Sequence, residues 1–257
     1  MDIFSLDNVS VGYGNKPVVT DLNLRLPEGG ITCLIGPNGC GKSTLLKSLC
    51  GLLPHTGKLE FYNRDLGSWN RRERARYLSM LPQSPVAPEG LTVGQLVARG
   101  RHPYQTWYQR WSAGDDAVYT DAVTTTGLTD LTDRPLHQLS GGQRQRAWIA
   151  MTIAQDTPVM LLDEPTTYLD LATSVDVLRL VRQLVDARGS TAIMVLHDLN
   201  LAARWSDRLI LLGADGKLAA QGSPTEVLTE DLLAAVFGLE AVIATDPISG
   251  GPLVVPR

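Results

Sequence analysis

The run Gly36-Pro37-Asn38-Gly39-Cys40-Gly41-Lys42-Ser43-Thr44 constrains this chain more than any other. Its G-x-x-x-x-G-K-[ST] spacing is that of a loop whose backbone wraps a nucleotide triphosphate. The context agrees, because Ile31 to Ile35 is a short apolar run of strand formers and Lys42 to Cys50 has helical patterning. Glycines at 36, 39 and 41 permit φ > 0 and close backbone approach, so successive N–H groups are expected to face β- and γ-phosphate oxygens. Lys42 adds a point charge, Ser43 would set its hydroxyl on Mg²⁺, and the positive end of the helix favours the anion. The competing reading is a structural glycine turn; at average glycine usage the pattern arises by chance in roughly one chain in a hundred of this length.

With 257 residues and 44% hydrophobic content, the chain can bury the core of one α/β domain with a smaller helical lobe. No run approaches the ~18 apolar residues that cross a bilayer, and Met1-Asp2-Ile3-Phe4 lacks the basic and apolar regions of a signal peptide, so the expected compartment is the cytosol. Cys33, Cys40 and Cys50 form no C-x-x-C pair, their odd number argues against a disulfide framework, and Cys40 reads as a small loop residue. A net charge of −4 gives no support for a nucleic-acid partner. Arg71-Arg72-Glu73-Arg74-Ala75-Arg76 reads as a solvated helix face.

Neither an internal repeat nor a low-complexity linker interrupts the chain. Ile3 to Val11 and Leu22 to Leu26 alternate as strands around the turn Gly14-Asn15-Lys16-Pro17, an antiparallel start. Lys58 to Tyr62 and Tyr77 to Leu81 are further strands, and Leu91 to Ala98, Asp116 to Thr125 and Arg144 to Gln155 are expected helices. Then follow strand Val159 to Leu162, helix Leu171 to Ala187, strand Thr191 to Leu196, helix Leu199 to Trp205 and strand Leu209 to Leu212. Such alternation predicts a parallel sheet covered by helices.

About a hundred residues after the first loop comes Leu139-Ser140-Gly141-Gly142-Gln143. Ser140 is a good N-cap and the glycines expose N–H groups, so this is a second helix start suited to an anion. Together the two motifs resemble those of the ATP-binding cassette (ABC) ATPases. The resemblance implies an α/β P-loop NTPase fold of the ABC-ATPase type, with a mixed, largely parallel central sheet, N-terminal antiparallel strands and a helical subdomain. It implies one ABC ATPase domain over 1–257, with a RecA-like core at 1–90 and 156–257 and a helical signature subdomain at 91–155. It also implies that Ser140, Gly141, Gly142 and Gln143 of one subunit close over ATP held by the loop of a second copy.

Val159 to Leu162 is an apolar strand that delivers Asp163 and Glu164 to its C-terminal end, where ligands of open α/β sheets bind. Asp163 would orient Mg²⁺ through water. Strand alternation sends Glu164 to the other side, and the resemblance assigns it the polarisation of the attacking water. The resemblance further assigns Tyr13 to stacking on adenine, Gln83 to Mg²⁺ and the attacking water, His197 to the γ-phosphate and that water, and Asp170 to the dimer seam. Taken alone, Tyr13 would be edge packing, Gln83 a surface glutamine and His197 a hydrogen-bonded structural residue.

Several non-catalytic stretches resemble one branch of ABC importers, the ferric-siderophore uptake ATPases, whose neighbours import vitamin B12 or haem. They are Leu91 to Tyr104 with Trp107 and Trp111, Gln143 to Met151, Pro165 to Leu171, His197-Asp198-Leu199-Asn200, and the tail Asp246 to Pro256. Tyr104, where a His is often found, and Asp115-Asp116 depart from that branch. The implied role is hydrolysis of ATP with Mg²⁺ to drive import, at the cytoplasmic face of the inner membrane. The implied partners are a second copy, membrane permease subunits and, indirectly, an extracytoplasmic substrate-binding protein. Trp107, Tyr108 and Trp111 would edge a groove for the permease or pack the lobe core. The alternative from another class is a soluble ABC ATPase of iron–sulfur assembly or DNA repair. Repair ATPases carry long heptad segments that are not visible here.

Overall fold

Alternating apolar side chains build the N-terminal sheet. In β1 (Asp2–Tyr13), Phe4, Leu6, Val9 and Val11 are buried, as are Val19, Leu22, Leu24 and Leu26 in β2 (Lys16–Pro27). The two strands pair antiparallel from Phe4↔Leu26 to Tyr13↔Lys16. The computed structural model describes residues 1–14, 16–105 and 111–257. Asn15 of the expected turn, and Trp107 and Tyr108, lie outside the described residues.

Along the chain, β3 (Gly30–Ile35) leads into α1 (Lys42–Leu49), then β4 (His55–Phe61) and β5 (Arg64–Asp65). Next come α2 (Arg71–Arg74), β6 (Leu78–Leu81), α3 (Val93–Ala98), α4 (Ala113–Thr125), α5 (Gly141–Ala154), β7 (Val159–Asp163) and α6 (Leu171–Arg188). The chain finishes with β8 (Thr191–Val195), α7 (Leu199–Trp205), β9 (Arg208–Leu212), β10 (Leu218–Gly222), α8 (Pro224–Val227), α9 (Glu230–Phe237), β11 (Ala241–Thr245) and β12 (Pro252–Pro256). Among the described residues, no helix is long and apolar enough to cross a membrane.

The chain divides into two compact units, one of Met1–Trp69 with Val185–Arg257 and the other of Asn70–Leu184. In the first, an antiparallel sheet has the order β2-β1-β4-β5, with Phe4 and Phe61 rings 4.8 Å apart in its core. A second set of strands runs β10-β9-β3-β8. Both β8 and β9 are parallel to β3, with Leu34 opposite Val195 on one side and Ile210 on the other. Every residue of β8 is buried, as expected of a strand covered on both faces. In the second unit, β6 and β7 pair in parallel from Leu78↔Val159 to Leu81↔Leu162, and α5 packs against α3 and α4. The fold is thus α/β with a mixed sheet, N-terminal antiparallel strands and a helical lobe.

Helix starts differ from the periodicity reading for one reason, which is capping. Thr92 closes a capping box with Gln95, so α3 begins at Val93 rather than Leu91. Ser112 does the same with Asp115, and α4 begins three residues before Asp116. The Ser140–Gln143 box draws Gly141 and Gly142 into the first turn of α5, which therefore starts ahead of Arg144.

The arginine cluster lies on an exposed helix start, as expected, with no residue of α2 buried, and it also bonds to distant backbone. Its helix is only four residues long. Arg72 Nε and Arg76 Nε both donate to Pro103 O, at 2.9 and 3.1 Å, and Arg72 also donates to Gln105 O. Those carbonyls are distant in sequence, so no local pattern announces them. The two departures at Tyr104 and Asp115-Asp116 acquire a physical account here. Arg101 stacks 4.0 Å from the Tyr104 ring centroid, ion-pairs with Asp115 at 2.8 Å and donates to Ala154 O at the end of α5. Tyr104 Oη donates to Asp156 O at 3.0 Å, and Asp116 accepts from the Trp111 indole at 2.6 Å.

Candidate functional site

The phosphate loop of the first unit lies between β3 and α1. Gly36 has φ +151°, and a Cβ there would stand 2.5 Å from Leu212 O; Gly41 has φ +104°, with Val19 Cγ2 2.6 Å from the corresponding point. Only glycine fits either position without displacing neighbours. Lys42 is buried, and its Nζ donates to Gly36 O at 2.8 Å and Pro37 O at 2.9 Å, closing the loop on itself. Cys40 is buried under the loop, 3.9 Å from Lys42 Nζ; burial pushes its thiol pKa up against the pull of Lys42, so it is a neutral filler. Asn38 and Gly39 are exposed at the loop tip, while Ser43 and Thr44 begin the helix.

Helix α1 differs from the other helices that matter here. Its N-cap, Gly41, is left-handed and makes no side-chain cap, whereas α3, α4 and α5 are each closed by a capping box. The first N–H groups of a helix have no intrahelical partner. At α1 no side chain caps that first turn, and the charge of the helix start favours phosphate.

Sheet register brings His197 to the same end. Leu34 pairs with Val195, so Gly36 and His197 each stand two residues beyond a matched pair of parallel neighbours. His197 is exposed, and Asp198 caps α7 by accepting from Asn200 N and Leu201 N. Tyr13 ends β1 and is 53% exposed, a ring available at the end of an interior strand.

In the second unit the same register logic operates. Leu81 pairs with Leu162, and two residues further on Gln83 Nε2 donates to Glu164 Oε2 at 2.6 Å. Thr167 Oγ1 donates to the same oxygen at 2.8 Å. Asp163 is the buried last residue of β7. The expectation that strand alternation would orient Glu164 is corrected. β7 stops at Asp163, and Glu164 has φ +52° in a turn closed by Thr167 N donating to Glu164 O. Left-handed backbone in a non-glycine residue stores about 1–3 kcal/mol and is held by its surroundings, here the two side-chain donors.

Ser140 and Gln143 bond to each other across the first turn of α5, with Ser140 Oγ accepting from Gln143 N at 3.2 Å and Gln143 Oε1 accepting from Ser140 N at 3.0 Å. This helix start, unlike that of α1, is capped by a side chain. Asp170 caps α6, accepting from Thr173 N at 2.9 Å and Thr173 Oγ1 at 2.8 Å; those donors hold its carboxyl below the usual range. Sequence reasoning named Thr167 and Asn200 only as parts of matching stretches and missed the bonds they make to Glu164 and Val254. The E-x-x-T spacing from Glu164 is the available signal for the first, since a threonine hydroxyl folds readily onto a neighbour three residues away.

A phosphate cradle with an uncapped helix start, on the central strand of a parallel β/α array, defines a nucleotide-phosphate-binding protein of the P-loop class. A sequence profile described as "ABC transporter" matches residues 19–167. The chain is 50% identical over 250 residues to the petrobactin import ATP-binding protein FpuD of Bacillus anthracis, covering 97% of this chain and 91% of that protein. It is 47% identical to the probable siderophore transport system ATP-binding protein YusV of Bacillus subtilis (strain 168), covering 100% and 94%. Among solved structures, an inward-facing putative metal-chelate type ABC transporter matches with a TM-score of 0.85 at 30% identity, over 100% of this chain and 98% of that one. The chain belongs to the ABC transporter family. It is an ATP-binding ATPase of that family.

Proposed function

We infer that this chain is the ATP-hydrolysing subunit that energises import of ferric siderophores across the cytoplasmic membrane, working peripherally at its cytoplasmic face. The observation that carries this reading is the extent of the likeness, which runs over 97% of the chain to a petrobactin import relative and so includes the lobe at 91–155 as well as the phosphate machinery. RecA-like segments at 1–90 and 156–257 would supply the nucleotide site.

Each site residue takes a role in that reading. N–H groups from Gly36 to Thr44 and Lys42 Nζ would hold the β- and γ-phosphates, with Lys42 leaving its loop carbonyls to do so, and Tyr13 would stack on adenine. Glu164 would accept hydrogen-bond donation from the attacking water, with Gln83 and His197 fixing its line. The residues present suit Mg²⁺. Ser43, Gln83 and Asp163 offer hydroxyl, amide and carboxylate oxygens, the hard donors that Mg²⁺ takes, and would complete a set held mainly by phosphate oxygens. When bound, that ion would neutralise charge on the transferring phosphoryl group.

Two copies would act together, the Ser140–Gln143 segment of one facing the loop of the other, with Asp170 and the 92%-exposed Tyr168 at the seam. The permease would dock on the lobe. A groove of about 640 Å³ is lined by Pro85, Val86, Leu91, Leu136, Arg144 and Trp148. Val86 is 89% exposed beside it, an apolar site suited to a short helix of a membrane subunit. An extracytoplasmic binding protein would select the cargo.

Uptake of labelled ferric siderophores in cells carrying parent or Glu164→Gln protein tests this, with haem and vitamin B12 as controls. Loss of siderophore uptake alone supports the reading. Loss confined to haem or vitamin B12 reassigns the cargo, and uptake unaffected throughout removes the import role.

A further inference from the structure

Two stretches with no part in the phosphate chemistry meet in the structure. Asn200 Nδ2 donates to Val254 O at 3.1 Å, and Val254 N donates to Asn200 Oδ1 at 2.7 Å. One side-chain amide thus pairs with strand backbone as another strand would, using a donor and an acceptor together. Val254 lies opposite Ile243 in the β11–β12 hairpin. Its N–H and C=O both point to Asn200, so the amide occupies the outer edge of β12. An isolated two-stranded hairpin is marginal in water, and this clamp, with the packing of α7 on β12, is what seats it.

The clamp acts on a short helix. α7 has seven residues, too few to hold its own first turn, and Asn200 sits in that turn. Its backbone N–H is bound by the Asp198 carboxylate and its side chain by β12. His197 immediately precedes that cap. We propose that Asn200 is a positioning residue for ATP hydrolysis: by clamping β12 it fixes the first turn of α7 and the backbone that carries His197, making the C-terminal hairpin part of the switch apparatus. This rests on the reading of His197 given above.

The test uses the full-length chain with Mg²⁺-ATP and compares parent, Asn200→Ala, His197→Ala and the double variant in single-turnover hydrolysis. Asn200→Ala should lower the rate about tenfold with KM for ATP unchanged within about twofold. In the His197→Ala background the same change should cost no more than about twofold, because the two act through one unit. An equal loss in both backgrounds, or no loss in either, overturns the proposal. Parent-like hydrolysis by His197→Ala removes the reading of His197 and the clamp's role with it; hydrolysis lost in His197→Ala but kept in Asn200→Ala removes the clamp alone. Amide hydrogen exchange gives a second readout independent of turnover. Residues 197–201 should exchange about tenfold faster in Asn200→Ala while residues 36–44 keep their rates, and unchanged exchange at 197–201 overturns the proposal whatever the activity.

Discussion

Gln83 Nε2 donates to Glu164 Oε2 at 2.6 Å, and each residue stands two places beyond the paired Leu81 and Leu162 of adjacent parallel strands. Register alone brings them to one end, and the hydrogen bond fixes the carboxylate that would polarise water. Glu164→Gln keeps the shape and removes the charge. Hydrolysis should fall at least about a hundredfold, a loss typical of removing a general base, while ATP-bound dimers accumulate in light scattering. Turnover at the parent rate would falsify the assignment.

Thr167 shares the same carboxylate oxygen at 2.8 Å, which gives a milder test of how far that carboxylate must be held. Thr167→Val conserves volume and deletes the donor. The expected result is a kcat lower by about three- to tenfold, because Gln83 still holds the same oxygen and only part of one hydrogen bond's worth is lost, with KM for ATP unchanged. An effect on KM alone would place Thr167 in nucleotide binding instead.

Gly36→Ala should damage the cradle itself. The new methyl would meet Leu212 O at 2.5 Å and Cys40 Sγ at 2.8 Å, and the residue would have to keep φ +151°. One contact is backbone, which cannot swing away. Denaturant unfolding should show a loss of about 1–3 kcal/mol, and ATP affinity should fall with it. Parent-like stability with intact binding would mean the loop relaxes more freely than this geometry allows.

These cases separate what is local in the sequence from what is not. The strand, loop and helix around Lys42 were legible because glycine spacing, an apolar run and helical periodicity are all short-range. Helix α7 was placed at Leu199–Trp205 for the same reason. Ser140 is legible as the N-cap of α5, and the early start of α4 has the same kind of signal in the S-x-x-D pattern at Ser112, which periodicity does not register. Three features had no local signal. Arg72 and Arg76 reach Pro103, Asn200 reaches Val254, and Glu164 turns left-handed to meet Gln83. Each depends on chain segments that only tertiary packing makes neighbours.

Arg101 and Asp115 offer a prediction that depends on pH. Both are buried, with Nε and Oδ1 2.8 Å apart, and Arg101 also holds the last turn of α5 through Ala154 O. Burial alone would raise the Asp115 carboxyl, but hydrogen bonds from Arg101 and Ser112 outweigh it and hold the carboxyl below the usual range. Asp115→Asn leaves the guanidinium buried without its counter-charge, so at neutral pH the variant should lose about 3–5 kcal/mol. A carboxyl whose folded pKa is depressed contributes its full stability above the unfolded pKa, about 4, and loses it as pH falls through the folded value. The difference in unfolding midpoint between parent and Asp115→Asn should therefore be constant from pH 7 to about pH 5 and shrink below about pH 4. Midpoints measured by circular dichroism across that range decide it: a difference that stays constant or widens in acid would show that the carboxylate's charge is not what Arg101 needs, and that the asparagine acts through shape alone.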